Sequence, residues 1–141
     1  MHNISSPRRD DDAIESEIKA KGKTAPRVTP SDLEAQVASE HYFTAADGAA
    51  GASGAEKYGH LEEGAEVELS FFEAPQPLEL LTFCVLVLKN GFTVTGESAC
   101  ASPENFDAEL GKKIARQAAV NKLWPLLGYE LRTKLAQEDA E

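Results

Sequence analysis

Cys100 is the residue in this sequence best suited to nucleophilic chemistry. It stands just before a helix-start signature, where the positive end of a helix lowers a thiol pKa, and His41 and Glu97 elsewhere in the chain are candidates for base and polar partner. Nothing in the chain order brings His41 to Cys100, and a small thiol closing a strand accounts for the position equally well. His2, His41, His60, Cys84 and Cys100 have no spacing that would assemble a metal site, so no metal or other cofactor is expected. Gly48, Gly51 and Gly54 lack the Gly-Lys-Ser/Thr ending and the preceding strand of a phosphate loop, and the segment reads as a mobile connection.

Two further clusters have binding chemistry. Ser39 to Thr44 places His41, Tyr42 and Phe43 together after a helix, and with Lys113 and Arg116 they could stack on and neutralise a nucleotide-like ligand; the plainer reading is a helix end pinned by its aromatics. The run Lys112-Lys113-Ile114-Ala115-Arg116-Gln117-Ala118-Ala119 is similar to the lysine-rich last helix of double-stranded RNA-binding domains, whose order is also αβββα. That likeness covers one helix.

Charge argues against nucleic acid. The 141 residues carry a net charge of −10, and the excess is uneven: residues 1–28 hold six basic against five acidic groups, leaving eight against nineteen from Thr29 onward. An acidic folded part repels phosphate backbones and anionic lipid and favours basic partners. The longest apolar run, Leu80 to Leu88, is about half a membrane span, and Met1 opens a polar stretch unlike a signal peptide.

The elements that must position these groups form one α+β domain over 29–134, preceded by a flexible arm over 1–28 and followed by a frayed acidic tail over 135–141. Within the arm, Ile14 to Lys21 is a short amphipathic stretch that needs a surface to lie on. Thr29-Pro30-Ser31-Asp32 starts a helix whose stripe is Leu33, Val37 and Tyr42. Val67, Leu69 and Phe71 alternate with polar residues as a first strand. Leu80 to Leu88 and Phe92 to Ser98 form a hairpin about Asn90-Gly91. Ser102-Pro103 opens a helix with Phe106, Leu110, Ile114 and Ala118 as its buried face; it should break near Trp124-Pro125 and end by Gly128. The order is αβββα, a small antiparallel sheet with helices on one face.

A two-residue Asn90-Gly91 turn sets Val87 opposite Val94 and Leu86 opposite Thr95. One face is then core, and the other carries Cys84, Leu86 and Leu88 beside Thr93, Thr95 and Glu97, too apolar to stay wet. Cover comes either from the chain itself, through Ile14/Ile18 or the first helix, or from a second copy or another protein.

Four runs together resemble the gene-product-49-like family of small tailed-bacteriophage proteins. They are Ser39 to Gly48, Leu80 to Cys100 through Asn90-Gly91-Phe92-Thr93-Val94-Thr95-Gly96-Glu97, Ser102 to Asp107, and Trp124 to Tyr129. The likeness extends from about Ile14 to Leu131, with Ala55 to Pro77 as an insertion. It implies a phage-encoded protein acting in the cytoplasm of the infected bacterium and carries over no catalytic residue. The expectation is a non-enzymatic accessory protein that binds a host or phage protein and modulates host metabolism or defence. Sequestration of a small ligand is the alternative, and an RNA-binding-like module the third.

Overall fold

Thr29 begins the first helix of the domain by a reciprocal cap: its hydroxyl accepts from the Asp32 amide at 3.2 Å, and the Asp32 carboxylate accepts from the Thr29 amide at 2.8 Å. In the computed structural model, which describes residues 7–23, 25–58, 63–64 and 73–140, that helix is short. The elements are α1 (Pro7–Ala20), α2 (Pro30–Gln36), β1 (Val37–Thr44), α3 (Ala45–Tyr58), β2 (Leu81–Leu88), β3 (Thr93–Ala99), α4 (Ala108–Asn121) and α5 (Leu123–Asp139). Single 3₁₀ turns at Gln76–Leu80 and Pro103–Asn105 lead into β2 and towards α4.

Among the described residues three strands form an antiparallel sheet in the order β1-β2-β3, and the protein is α+β. Its first strand in chain order is Val37–Thr44; the strand expected at Val67–Phe71 lies outside the described residues. The helix expected to run on to Tyr42 stops at Gln36. Valine, tyrosine, phenylalanine and threonine in Val37–Thr44 fit a pleated surface better than a helix, and pairing with β2 realises that preference.

The segment around Gly48, Gly51 and Gly54, expected as a loop, is helical. Thr44 and Asp47 form a second reciprocal cap, with bonds of 3.1 and 2.9 Å, and six alanines in α3 offset the glycines.

The hairpin is where expected, but its turn is one residue longer. The Leu88 amide donates to the Phe92 carbonyl at 2.8 Å and the Gly91 amide to the Leu88 carbonyl at 2.9 Å, leaving Lys89, Asn90 and Gly91 as a three-residue loop. Gly91 has φ +88°, the left-handed position such loops require, and Asn90 Oδ1 accepts from the Phe92 amide at 2.9 Å. Every cross-strand pair therefore slips by one: Leu86 faces Val94, Cys84 faces Gly96, Val85 faces Thr95 and Phe83 faces Glu97.

Asp107, not Ser102, caps α4, its Oδ1 accepting from the Leu110 amide at 3.1 Å. The helix turns a different face inward from the one that its large residues suggest. Gly111, Ala115, Ala119 and Val120 are buried, whereas Leu110 is 52% exposed and Ile114 36% exposed. The small residues let the helix lie flush on β2 and β3. A Cβ on Gly96 would collide with the Ala115 carbonyl oxygen and the Ala119 amide nitrogen. The core between them comprises Leu33, Cys84, Leu86, Leu88, Val94, Ala115, Ala119, Val120 and Leu123.

The chain does break before Trp124, since α4 ends at Asn121 and α5 starts at Leu123 with Pro125 in its first turn, where no intrahelical donor is needed. It does not end at Gly128 but continues to Asp139, past the expected fraying point at Lys134. Leu123, fully buried, and Leu127, packed against the core, anchor its first half. A glycine inside a helix costs only about 1 kcal/mol.

Among its described side chains, α1 is held by polar contacts. Arg27 donates to both oxygens of Glu15 at 2.6 and 2.5 Å, and Trp124 Nε1 donates to Asp11 at 3.3 Å, while Ile14 stays exposed. The Arg27 hydrogen bonds hold the Glu15 carboxyl below its ordinary pKa.

Candidate functional site

The side of the sheet facing away from α4 is the surface that the slipped register creates. Alternation along β2 sends Thr82, Cys84, Leu86 and Leu88 towards α4, and all four are buried. It sends Phe83, Val85 and Val87 to the other face, where each is only half-buried. Direct opposites share a face, so this central apolar row is flanked by Phe43, His41 and Ser39 on β1 and by Glu97, Thr95 and Thr93 on β3. Phe43 and Phe83 pack with ring centroids 5.6 Å apart and planes tilted by 33°, and Phe43 keeps 39% of its surface exposed. Ser39 and His41 share a 3.0 Å hydrogen bond beside the row. At the Phe43 end α3 comes close: a Cβ on its Gly48 would lie 3.7 Å from the Phe43 ring.

The six residues expected to share one interface are therefore split between two faces. Cys84, Leu86 and Leu88 are at 0%, 0% and 6% exposure beneath α4, and Thr93, Thr95 and Glu97 stand exposed on the opposite side. Cover for the first three comes from the chain itself, chiefly from α4, with Leu33 of α2, the first helix of the domain, and Leu123 of α5 in the same buried cluster, while Ile14 stays exposed.

The five ligand candidates are also divided. His41 and Phe43 belong to the open face, while Tyr42 pairs with Cys84 on the α4 side. Arg116 is engaged: its Nη atoms donate to Glu34 at 3.0 and 2.8 Å and its Nε donates to Glu40 at 2.6 Å. The Glu34 bonds, followed by those to Glu40, raise the Arg116 pKa and fix its charge. Burial first, then the neighbouring Cys84 and Glu40, pushes the Tyr42 hydroxyl up to about 12. Burial likewise pushes the Cys84 thiol up. Lys113 is solvent-exposed, and Lys112 lies 3.7 Å from Glu109, so the basic run does not present three free cations to a phosphate backbone.

Cys100 donates its thiol to the Ser102 carbonyl at 3.1 Å, beyond the end of β3. His41 sits at the level of Val85 and Thr95, two strands away and five positions along β3 from Cys100. Among the described residues, no three His, Cys, Asp or Glu side chains converge as a metal site needs, and no helix is long and apolar enough to cross a membrane.

Two features had no signal in the chain order. One is the Glu34-Arg116-Glu40 bridge, which ties α2, β1 and α4 together across long separations. The other is an open cleft of about 490 Å³ between the hairpin tip and α5, lined by Leu88, Phe92, Leu126, Leu127 and Tyr129 among others.

No curated protein and no solved structure matches this chain. The model of the phage protein (N4 Gp49/phage Sf6 gene 66) family spans residues 28–135, from just before the α2 cap well into α5, and the chain belongs to that family.

Proposed function

We propose that this phage protein is a non-enzymatic accessory factor that binds a host or phage protein in the infected cell and so modulates host metabolism or defence. The open sheet face is its contact surface. The observation that carries this reading is the apolar row Phe83-Val85-Val87, extended by the exposed Phe43, on the side of the sheet that α4 leaves uncovered. Burying a valine or phenylalanine side chain is worth roughly 1.5–3 kcal/mol, so a partner seated on the row gains several kcal/mol. The net charge of −10 favours a partner with a basic surface.

Affinity capture from infected-cell lysate, run with the native chain, Val85→Lys and the remote control Ser31→Lys, tests the reading. A protein retained by the native chain and by Ser31→Lys but lost with Val85→Lys supports it. Equal capture by all three removes the open face from consideration.

A further inference from the structure

The outer edge of β3 is a second surface, distinct from the open face, with a recognition chemistry of its own. Among the described residues no strand pairs with β3 on that side. The bonds Leu88 to Phe92 and Cys100 to Leu80 bracket the β2–β3 ladder. In an antiparallel pair, inward and outward backbone groups alternate, so Val94, Gly96 and Ser98 bond to β2, while Thr93, Thr95 and Glu97 direct their N–H and C=O groups outward. Unlike many exposed edges, this one has neither a lysine nor a proline within β3.

Beside that edge lies an apolar shelf. Arg116 reaches across the sheet to Glu40 on β1, which fixes the flank of α4 that faces β1. Ile114 is two residues away, roughly 160° around the axis at about 3.6 residues per turn, and Leu110 lies on the same flank one turn earlier. This flank therefore overhangs β3, whose Gly96 touches Ala115 and Ala119 beneath the helix. Leu110 and Ile114 are 52% and 36% exposed there. The one charged residue of β3, Glu97, is acidic and exposed.

We infer that β3 receives an extended, basic peptide strand by strand addition: the outward backbone groups of Thr93, Thr95 and Glu97 pair with it, Leu110 and Ile114 hold its apolar side chains, and Glu97, on the opposite face, pairs with its cations. Free ladder groups select an extended backbone, the shelf selects alternate apolar residues, and Glu97 with the net charge of −10 selects lysine or arginine between them.

A fluorescein-labelled octapeptide of alternating valine and lysine, titrated against the full chain by anisotropy, is the probe. Its control is the same peptide N-methylated at alternate residues, which keeps the charge but cannot complete a ladder. Thr95→Pro removes one outward donor, at an edge position where proline is tolerated. Thr95→Pro, Leu110→Lys with Ile114→Lys, and N-methylation should each weaken binding by about tenfold or more. Val85→Lys, which blocks the open face, should leave binding unchanged. Hydrogen exchange should show the Thr95 and Glu97 amides fast in the free protein and slowed by the peptide. Equal binding of the N-methylated control would reduce the effect to net charge, and loss of binding with Val85→Lys would move it to the open face. Slow Thr95 and Glu97 amides in the free protein would mean that the chain itself or a second copy already fills the edge. Any of these three overturns the inference.

Discussion

Gly96 of β3 lies so close beneath Ala115 of α4 that the space a Cβ would fill is taken by the Ala115 carbonyl and the Ala119 amide. This contact sets how near the helix can come to the sheet. It also explains why a helix with Leu110 and Ile114 available buries Gly111, Ala115 and Ala119 instead. Small residues permit backbone contact, and the apolar area lost at the seam is supplied by Leu33, Leu86, Val120 and Leu123 around it.

Gly96→Ala should therefore destabilise the protein by about 3 kcal/mol, an overpacking effect that backbone atoms cannot relieve by a rotamer change. Urea unfolding with an unchanged m-value and a lowered midpoint is the expected outcome. A change within about 0.5 kcal/mol, the range usual for unconstrained surface sites, would show that the helix stands further off.

Arg116 joins Glu34 and Glu40 through separate nitrogens, a geometry that lysine cannot reproduce. Arg116→Lys should lose most of what Arg116→Ala loses, about 1–2 kcal/mol, and a Glu34/Arg116 double-mutant cycle should give a coupling of about 1 kcal/mol. Partial exposure of all three side chains keeps both figures modest. Full retention of stability in Arg116→Lys would show that the fork is not required.

Tyr42 makes alkaline stability a readout of its burial. Its folded pKa is about 12 against 10.0 for an ordinary tyrosine, so between these values the unfolded chain releases a proton that the folded chain retains. Stability should fall as pH rises from 10 towards 12, with Tyr42→Phe removing that part of the slope. The full shift corresponds to roughly 3 kcal/mol, and solvent screening at this partly exposed ring reduces it to about 1 kcal/mol. Identical slopes for the two proteins would place Tyr42 in water.

The elements with local chemical signatures were legible in the chain. The Thr29 cap, the hairpin centred on Asn90-Gly91, the break before Trp124 and the α+β class all follow from side chains acting within a few residues of themselves. What was not legible depended on long-range packing or on counting one residue in a turn. Asn-Gly suits both a two-residue loop and a three-residue loop with Gly91 left-handed, and that single residue exchanged the two faces of the sheet. The α4 stripe was misassigned because large residues at four-residue spacing usually face a core, and nothing local shows that Gly96 lies opposite. The division of Tyr42 and Arg116 from His41 and Phe43 has the same origin, since a segment read as the end of a helix is a strand that sends neighbours to opposite sides.

Gly91 has φ +88°, so Gly91→Ala strains the turn and should cost about 1–2 kcal/mol. Asn90→Ala, which removes the bond to the Phe92 amide, should cost about 1 kcal/mol. Thermal unfolding of both variants checks the loop geometry; a neutral Gly91→Ala would contradict the left-handed position.

Which face of β2 looks outward can be measured by placing a charge on each. Lysine at Val85 should reach solvent across the open face and change the unfolding free energy by less than about 1 kcal/mol. Lysine at Leu86 buries a charge beneath α4 and should cost at least about 4 kcal/mol or prevent folding. The reverse order, with Val85→Lys unfolding the chain and Leu86→Lys tolerated, would return the hairpin to a two-residue turn and leave Phe83, Val85 and Val87 as the core rather than as a surface for a partner.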